Sequence, residues 1–238
     1  MNIQRVFNKL KANIDIQFGK AKYSYAQFGE DIIIDALFSI GLQKSTISYL
    51  DIGANSPVVG SNTYSFYLKK CKGVCVEPDL QLYEKIVAKR PNDTVLNIAV
   101  GINNQKEGVF YRFPEPYTGW NTFSKEEALQ KQNQTGIKFN DDKVISFINI
   151  NDLIEKYFDT CPDFISIDVE GLDIEIIKSL NFEKFKPAVF CVETMEFNNL
   201  KLGRKNEEVK NYLAEKGYIV YADTYINTIF VKKDLLIL

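Results

Sequence analysis

The sequence contains no histidine among its 238 residues. That one absence removes Ser-His-Asp and Cys-His catalysis, HExxH zinc sites, His-ligated haem and any imidazole base. Acid–base chemistry falls to Asp, Glu, Lys, Tyr or Cys. A surplus of either charge is also lacking: 29 Lys+Arg stand against 31 Asp+Glu, a net charge of -2. The basic footprint of a dedicated nucleic-acid binder is therefore missing. No apolar run approaches the ~18 residues of a membrane span. Residues 1–22 show neither the apolar h-region nor the cleavage site of a secretory signal. These features predict a cytosolic protein with reduced thiols. Cysteines number four, and Cys71-x-x-x-Cys75 is their only close pair. Without histidine or a second such pair it makes a poor zinc site. Cys75 and Cys191 sit in apolar, strand-like runs and read as buried free thiols.

What is present supports a full core: 45% of residues are hydrophobic and 25% charged. The length suits one domain of ~150 residues or more with a small appendage. Residues 1–22 carry Arg5, Lys9, Lys11, Lys20 and Lys22 against a lone Asp15, with Ile3, Val6, Phe7 and Leu10 on one helical face. They read as an amphipathic appendage that docks on the domain or a partner subunit, or makes a weak membrane-surface contact. The domain proper spans 23–238.

Hydrophobic periodicity predicts a helix over 27–40, a strand over 47–51, a helix over 62–70 and a strand over 73–76. A helix over 80–89, capped by Asp79, and a strand over 95–100 follow. This β-α-β-α-β order with near-continuous apolar strands predicts a doubly wound, mostly parallel sheet. Residues 107–148 break the pattern. Val109–Phe113 alternates like a strand, Pro114, Pro116 and Gly119 interrupt it, and 118–142 is polar apart from a short helix near 125–132. The stretch reads as an inserted lid over the sheet's carboxyl edge. Alternation then resumes with a helix at 150–157, a strand at 164–168, a helix at 172–180 and a strand at 188–192. A helix at 205–216 precedes strands at 218–221 and 226–231, close enough to form a terminal antiparallel hairpin.

In open α/β sheets ligands bind at the carboxyl ends of strands. Leu50-Asp51-Ile52-Gly53-Ala54-Asn55 occupies such an end. Gly53 permits close backbone approach, and Asp51 can accept from a bound amine. Glu77 ends the next strand, where a carboxylate can accept from both hydroxyls of a ribose. The loop lacks the second and third glycines of G-x-G-x-x-G, so a pyrophosphate has no cradle. An adenosyl ligand without phosphates, S-adenosylmethionine, suits this pattern.

Six motifs occur in one order. They are Gln27-x-Gly29-Glu30-Asp31, Asp51-Ile52-Gly53-Ala54-Asn55, Ser61-Asn62-Thr63-Tyr64, Glu77-Pro78-Asp79, Asn97-x-Ala99-Val100-Gly101 and Ser166-Ile167-Asp168-Val169-Glu170-Gly171. The series resembles the FkbM family of S-adenosylmethionine-dependent methyltransferases over roughly residues 23–198. The resemblance implies a class I methyltransferase (Rossmann-like) fold with a seven-stranded sheet. It also implies O-methylation, commonly of sugar hydroxyls in polysaccharides, glycolipids or glycosylated small molecules. By it, Asp51, Gly53, Ala54 and Asn55 flank the methionine part, Glu77 holds the ribose, and Pro78 and Ala99 line the adenine slot. Asp168 borders the same cofactor. Ser56 is a departure, standing where related sequences often carry histidine.

A sugar hydroxyl attacks well only as its proton leaves. Asp168 and Glu170, at i and i+2 on a strand's carboxyl end, and Glu193 on the neighbouring strand are the expected catalytic carboxylates. The bland alternative has Asp168 and Glu170 capping the following helix. A divalent metal held by Asp168 and Glu193 is another alternative, though no tight ligand cluster is visible in the sequence. Asn62 and Thr63 read equally as substrate ligands and as helix caps, and Trp120 as a sugar-stacking platform or loop packing. Tyr212-x-x-x-Lys216 mimics a hydride-transfer spacing but sits on a late polar helix and reads as chance. Rival functions are a nicotinamide-dependent oxidoreductase and a non-catalytic scaffold on the same sheet.

Overall fold

The computed structural model describes residues 21–102, 105–195, 203 and 205–236. Residues 1–20, and with them nearly all of the amphipathic appendage, lie outside the described residues. Strands β1 (Ser48–Ile52), β2 (Lys72–Val76), β3 (Thr94–Leu96), β7 (Phe164–Ile167), β8 (Val189–Glu193), β9 (Tyr218–Asp223) and β10 (Asn227–Lys232) form one seven-stranded sheet. Its order is β3-β2-β1-β7-β8-β10-β9. The first five of these strands run parallel, while β10 is antiparallel to both β8 and β9. The chain leaves β1 outward on one side and returns to it with β7 on the other. This reversal opens a crevice at the carboxyl ends of β1 and β7. It is the class I methyltransferase (Rossmann-like) architecture, with the expected terminal hairpin.

Two apolar layers sandwich the sheet, because successive strand residues face opposite ways. Leu50, Ile52, Ile165 and Ile167 face α5 (Ile150–Tyr157), α6 (Asp173–Ser179) and α7 (Glu207–Glu215). Tyr49, Cys75, Phe164 and Cys191 face the opposite layer with Ile34, Phe38 and Phe66. The latter come from α1 (Glu30–Ala36), a π-helical turn at Leu37–Gly41 and α2 (Tyr64–Leu68). Cys71, Cys75 and Cys191 are buried free thiols. Helix α3 (Leu80–Lys89) starts as its sequence dictates, with the Asp79 carboxylate accepting from the Gln81 and Leu82 amides at 2.9 and 3.2 Å.

Two stretches depart from the periodic reading. The strand expected over 95–100 splits into β3 and β4 (Ala99–Gly101). Between them the Asn97 amide donates to the Glu77 and Pro78 carbonyls, both at 3.0 Å, and turns the chain out of the main sheet. β4 joins β6 (Asn140–Asn149) and β5 (Glu107–Arg112) in a second sheet of order β4-β6-β5. With α4 (Lys125–Thr135) and a small core of Tyr111, Phe113 and Ala128, the inserted stretch 107–148 forms a small subdomain on the main sheet. Its polarity misleads because only one face of each element is covered.

Candidate active site

The crevice is built from the ends of β1, β2, β7 and β8 and the turn at Thr118–Trp120 of the small subdomain. Gly53 has φ of +81°, and a Cβ there would stand 1.9 Å from the Asp168 carbonyl oxygen. Only glycine lets the loops after β1 and β7 lie this close. The Gly53 and Ala54 amides donate to the Val76 carbonyl at 3.0 and 3.1 Å, which locks the first loop to β2.

Glu77 is buried at the end of β2. Its Oε2 accepts from the Asn55 amide and its Oε1 from the Asp79 amide, each at 2.8 Å. Burial pushes its carboxyl up to about 8, against the pull of those two amides. Each oxygen keeps a second lone pair for a ligand. Beside it opens a cavity of about 260 Å³ with apolar walls that include Val76, Pro78, Leu82, Ala99 and Phe110. Gly53, Asn55, Glu77, Asp168, Glu170 and Glu193 line it as well.

Those last three carboxylates converge, with one oxygen of each within 4.8 Å of the others. Asp168 and Glu193 hydrogen-bond to one another. Burial raises Asp168 to about 7 and drives Glu193 well up, and the neighbouring acids add to the rise. Such a pair holds one proton between two carboxyls. Glu170, also raised to about 7 by burial, sits in the left-handed region (φ 54°) and is ion-paired to Lys131 of α4. Neither Asp168 nor Glu170 caps α6. That helix has no side-chain cap at its N-cap residue Leu172; Asp173, its first residue, holds the preceding loop instead, accepting from the Val169 and Gly171 amides at 3.3 Å each. The cluster that sequence spacing did not resolve is thus present in three dimensions, although Lys131 already neutralises one of its members.

Asp51 is tied to Thr63 and Arg90. Thr63 donates to its Oδ2 at 2.5 Å, and the Arg90 guanidinium lies 3.9 Å from the same oxygen. Arg90, fully buried, also donates to Asp93 (2.8 Å), Tyr49 (3.1 Å) and Thr63 (2.9 Å). Burial pushes the Asp51 carboxyl upward while Arg90 and Thr63 pull it down. Thr63 therefore makes no helix cap. That task falls to Ser61, whose Oγ accepts from the Thr63 and Tyr64 amides at 3.3 and 3.1 Å. The Asn62 amide donates to Ser166 (3.2 Å) and Cys191 (3.7 Å), while its buried Oδ1 has no partner among the described residues. Asp51, Ala54, Ser56 and Asn62 line a polar recess of about 220 Å³ that shares Gly53, Asn55 and Asp168 with the apolar cavity. Trp120 stands apart from them, stacked on Tyr117 at 4.6 Å and lining the apolar cavity.

The family model for the methyltransferase FkbM domain matches residues 51–220. The chain belongs to the FkbM methyltransferase family. Its cofactor is S-adenosylmethionine, and the residues present fit that molecule. The apolar slot suits a planar base, and Glu77 retains lone pairs for a ribose diol. The orphaned Asn62 oxygen and Asp51 offer acceptors for an ammonium. A dinucleotide fits worse, because the amides that begin α2 and α3 are already taken by Ser61 and Asp79.

A search of curated proteins returned no match. Among solved structures, a TehB-like SAM-dependent methyltransferase from Corynebacterium glutamicum is 10% identical, with 98% of this chain and 100% of that one covered and a TM-score of 0.43. An O-methyltransferase from Bacillus cereus in complex with SAH is 10% identical over 92% and 86% of the two chains, with a TM-score of 0.42. The 1,6-didemethyltoxoflavin-N1-methyltransferase of Burkholderia thailandensis is 10% identical over 86% and 77%, with a TM-score of 0.39. Among the described residues, no helix is long and apolar enough to cross a membrane.

Arg90 and Lys131 were not foreseen from sequence. Arg90 follows the helix expected over 80–89, and its only local signal is the i,i+3 spacing to Asp93. Lys131 is one of several polar residues on α4, and nothing local ties it to Glu170, 39 positions on.

Proposed function

We propose that this methyltransferase acts on oxygen, and that its acceptor is a hydroxyl of a sugar in a polysaccharide, glycolipid or glycosylated small molecule. The observation that carries the reading is the carboxyl pair Asp168–Glu193 lining the cofactor cavity, in a chain without histidine. An amine acceptor with a free lone pair needs no base of this kind, whereas a hydroxyl does. Glu77 accepts from the ribose and Pro78 and Ala99 hold the base, while Asp51 and Asn55 flank the methionine end with Gly53 and Ala54. S-adenosylmethionine, when bound, supplies an electrophilic methyl, and the acceptor oxygen forms its C–O bond as the C–S bond breaks and sulfur keeps the electron pair. The ionised member of the Asp168–Glu193 pair takes the hydroxyl proton and returns it to solvent. Glu170 is held by Lys131, which leaves proton removal to the Asp168–Glu193 pair. Trp120 offers an indole face to the ring.

The test is methyl transfer from isotope-labelled S-adenosylmethionine to a panel of neutral glycosides, with mass spectrometry locating the methyl. The expected product is a methyl ether. With Asp168→Asn, kcat falls by about 10²–10⁴ while cofactor affinity stays within a few fold. A methyl found on nitrogen, or an Asp168→Asn enzyme as fast as wild type, overturns the reading.

A further inference from the structure

A surface hollow of about 450 Å³ adjoins the crevice, and methyl transfer makes no use of it. Gln27 and Ile226 line both this hollow and the cofactor cavity. Its walls come from residues 23–28, from 58–60 and from Ile226 just before β10. None of its described lining residues is charged, in a chain that is 25% charged. Tyr23, Phe28 and Val59 stand out from it, 61, 58 and 80% exposed. A contiguous apolar patch of this kind marks a surface that meets something other than water.

The patch is fastened from behind. Asp31, buried in the first turn of α1, accepts from the Ser24 hydroxyl at 2.6 Å and the Tyr25 amide at 2.8 Å. Glu30, also buried, accepts from the Phe28 amide at 2.9 Å through Oε2. Its Oε1 accepts from the Thr224 hydroxyl at 2.6 Å and the Asn227 amide at 3.0 Å. The Gly60 amide donates to the Tyr25 carbonyl at 2.7 Å. Two buried carboxylates and one backbone bond thus fix three separate stretches of chain while their aromatic and branched side chains stay in solvent.

Charge complements the patch. Residues 1–22, which lead into Tyr23, carry five cations against one acid, whereas the remainder of the chain carries 24 against 30. That asymmetry turns this end of the protein toward an anionic surface. A second copy of the chain, docked patch to patch, would bring two basic stretches together. An anionic bilayer neutralises them and also takes up aromatic and aliphatic side chains at the headgroup level. We propose that this patch and the basic residues before it seat the enzyme on an anionic bilayer surface, with Tyr23, Phe28 and Val59 entering the headgroup layer. An apolar signal and an electrostatic one, each weak alone, together give a stable peripheral contact. The crevice then lies beside the headgroups, and the contact is independent of what the enzyme methylates.

Co-sedimentation of the full chain with vesicles is the test, using phosphatidylcholine alone and phosphatidylcholine with about a third phosphatidylglycerol. Wild-type protein is expected to partition on the order of tenfold more strongly onto the anionic vesicles, and to lose that preference as salt rises. Phe28→Asp and Val59→Asp alter exposed side chains, so Tm is expected to hold while each weakens binding by about fivefold. Phe28→Trp is expected to bind as wild type does. Lys9→Glu combined with Lys11→Glu is expected to remove the preference for anionic lipid. No binding of wild-type protein to the anionic vesicles overturns the proposal. So does undiminished binding by both Asp variants, which would leave the basic stretch as the whole contact. Sedimentation velocity covers the rival occupant. A wild-type dimer that either Asp variant dissociates assigns the patch to a second copy of the chain and overturns the bilayer contact.

Discussion

Arg90 sits behind Asp51, on the side away from the cofactor cavity, and reaches it mainly through Thr63. The guanidinium donates to the Thr63 hydroxyl at 2.9 Å, and that hydroxyl donates to Asp51 Oδ2 at 2.5 Å. Because the threonine hydrogen is used on Asp51, its lone pair must take the arginine N–H, so the direction of both bonds is fixed. A buried cation is thereby spent on orienting a carboxylate that has its other oxygen left for a ligand.

Breaking this relay is expected to act on stability and on cofactor binding to different degrees. Arg90→Met leaves Asp51 and Asp93 buried without their counter-ion, at a cost of about 3–5 kcal/mol. Thr63→Val keeps the shape and removes only the bridge, costing about 1–3 kcal/mol. Urea unfolding measures both. In the folded Thr63→Val protein, calorimetry is expected to show S-adenosylhomocysteine bound at least fivefold more weakly. Unchanged affinity would mean that Asp51 is a structural acid only.

Glu77 ties cofactor affinity and stability to pH with opposite signs. Its folded-state pKa of about 8 stands above the ordinary 4.5. Between these values the native state binds the proton that the unfolded chain releases. Its contribution to stability is therefore full below ~4.5 and is lost as pH rises towards 8. Accepting from two ribose hydroxyls, in contrast, calls for the ionised carboxylate. Affinity for S-adenosylhomocysteine is expected to rise between pH 6.5 and 8.5, with proton release seen as a buffer-dependent binding enthalpy. Glu77→Gln should abolish that release and flatten the fall of Tm over the same interval. A pH-independent affinity in wild type would show that Glu77 does not hold the diol.

The sheet was legible because its strands are short, apolar and separated by helices whose starts carry their own caps. Asp79 is an example, since its role follows from its neighbours alone. The carboxylates at 168, 170 and 193 were legible as types at strand ends, for chain direction decides which ends face the crevice. What sequence could not show was convergence. Asp168 and Glu193 meet because β7 and β8 pair in register, Ile167 against Val192. The small sheet escaped for a related reason. β6 follows a polar stretch and pairs with β5 across the whole of α4, so its partner lies beyond any local window. Thr63 shows a further limit: its place before a helix suits a substrate ligand and a helix cap equally, and the structure has a buried arginine 27 residues on donating to its hydroxyl.

Gly53 and Gly136 offer a controlled comparison of backbone strain with close approach. Both adopt left-handed φ, +81° and +74°, so an alanine at either position carries a similar conformational cost of about 1–3 kcal/mol. They differ in surroundings. A Cβ at Gly136 would meet nothing within 4 Å, while one at Gly53 would stand 1.9 Å from the Asp168 carbonyl oxygen and 2.9 Å from its carbon. Relief requires the β1 and β7 loops to part, which moves the cofactor cavity floor and the Asp168 carboxyl together. Gly53→Ala is expected to lose at least 1 kcal/mol more than Gly136→Ala in urea unfolding, consistent with ~1–3 kcal/mol for overpacking. It is also expected to weaken S-adenosylhomocysteine binding at least tenfold, whereas Gly136→Ala leaves it unchanged. Equal losses in the two variants would show that the loops have slack, and that Gly53 is needed for its backbone angle alone.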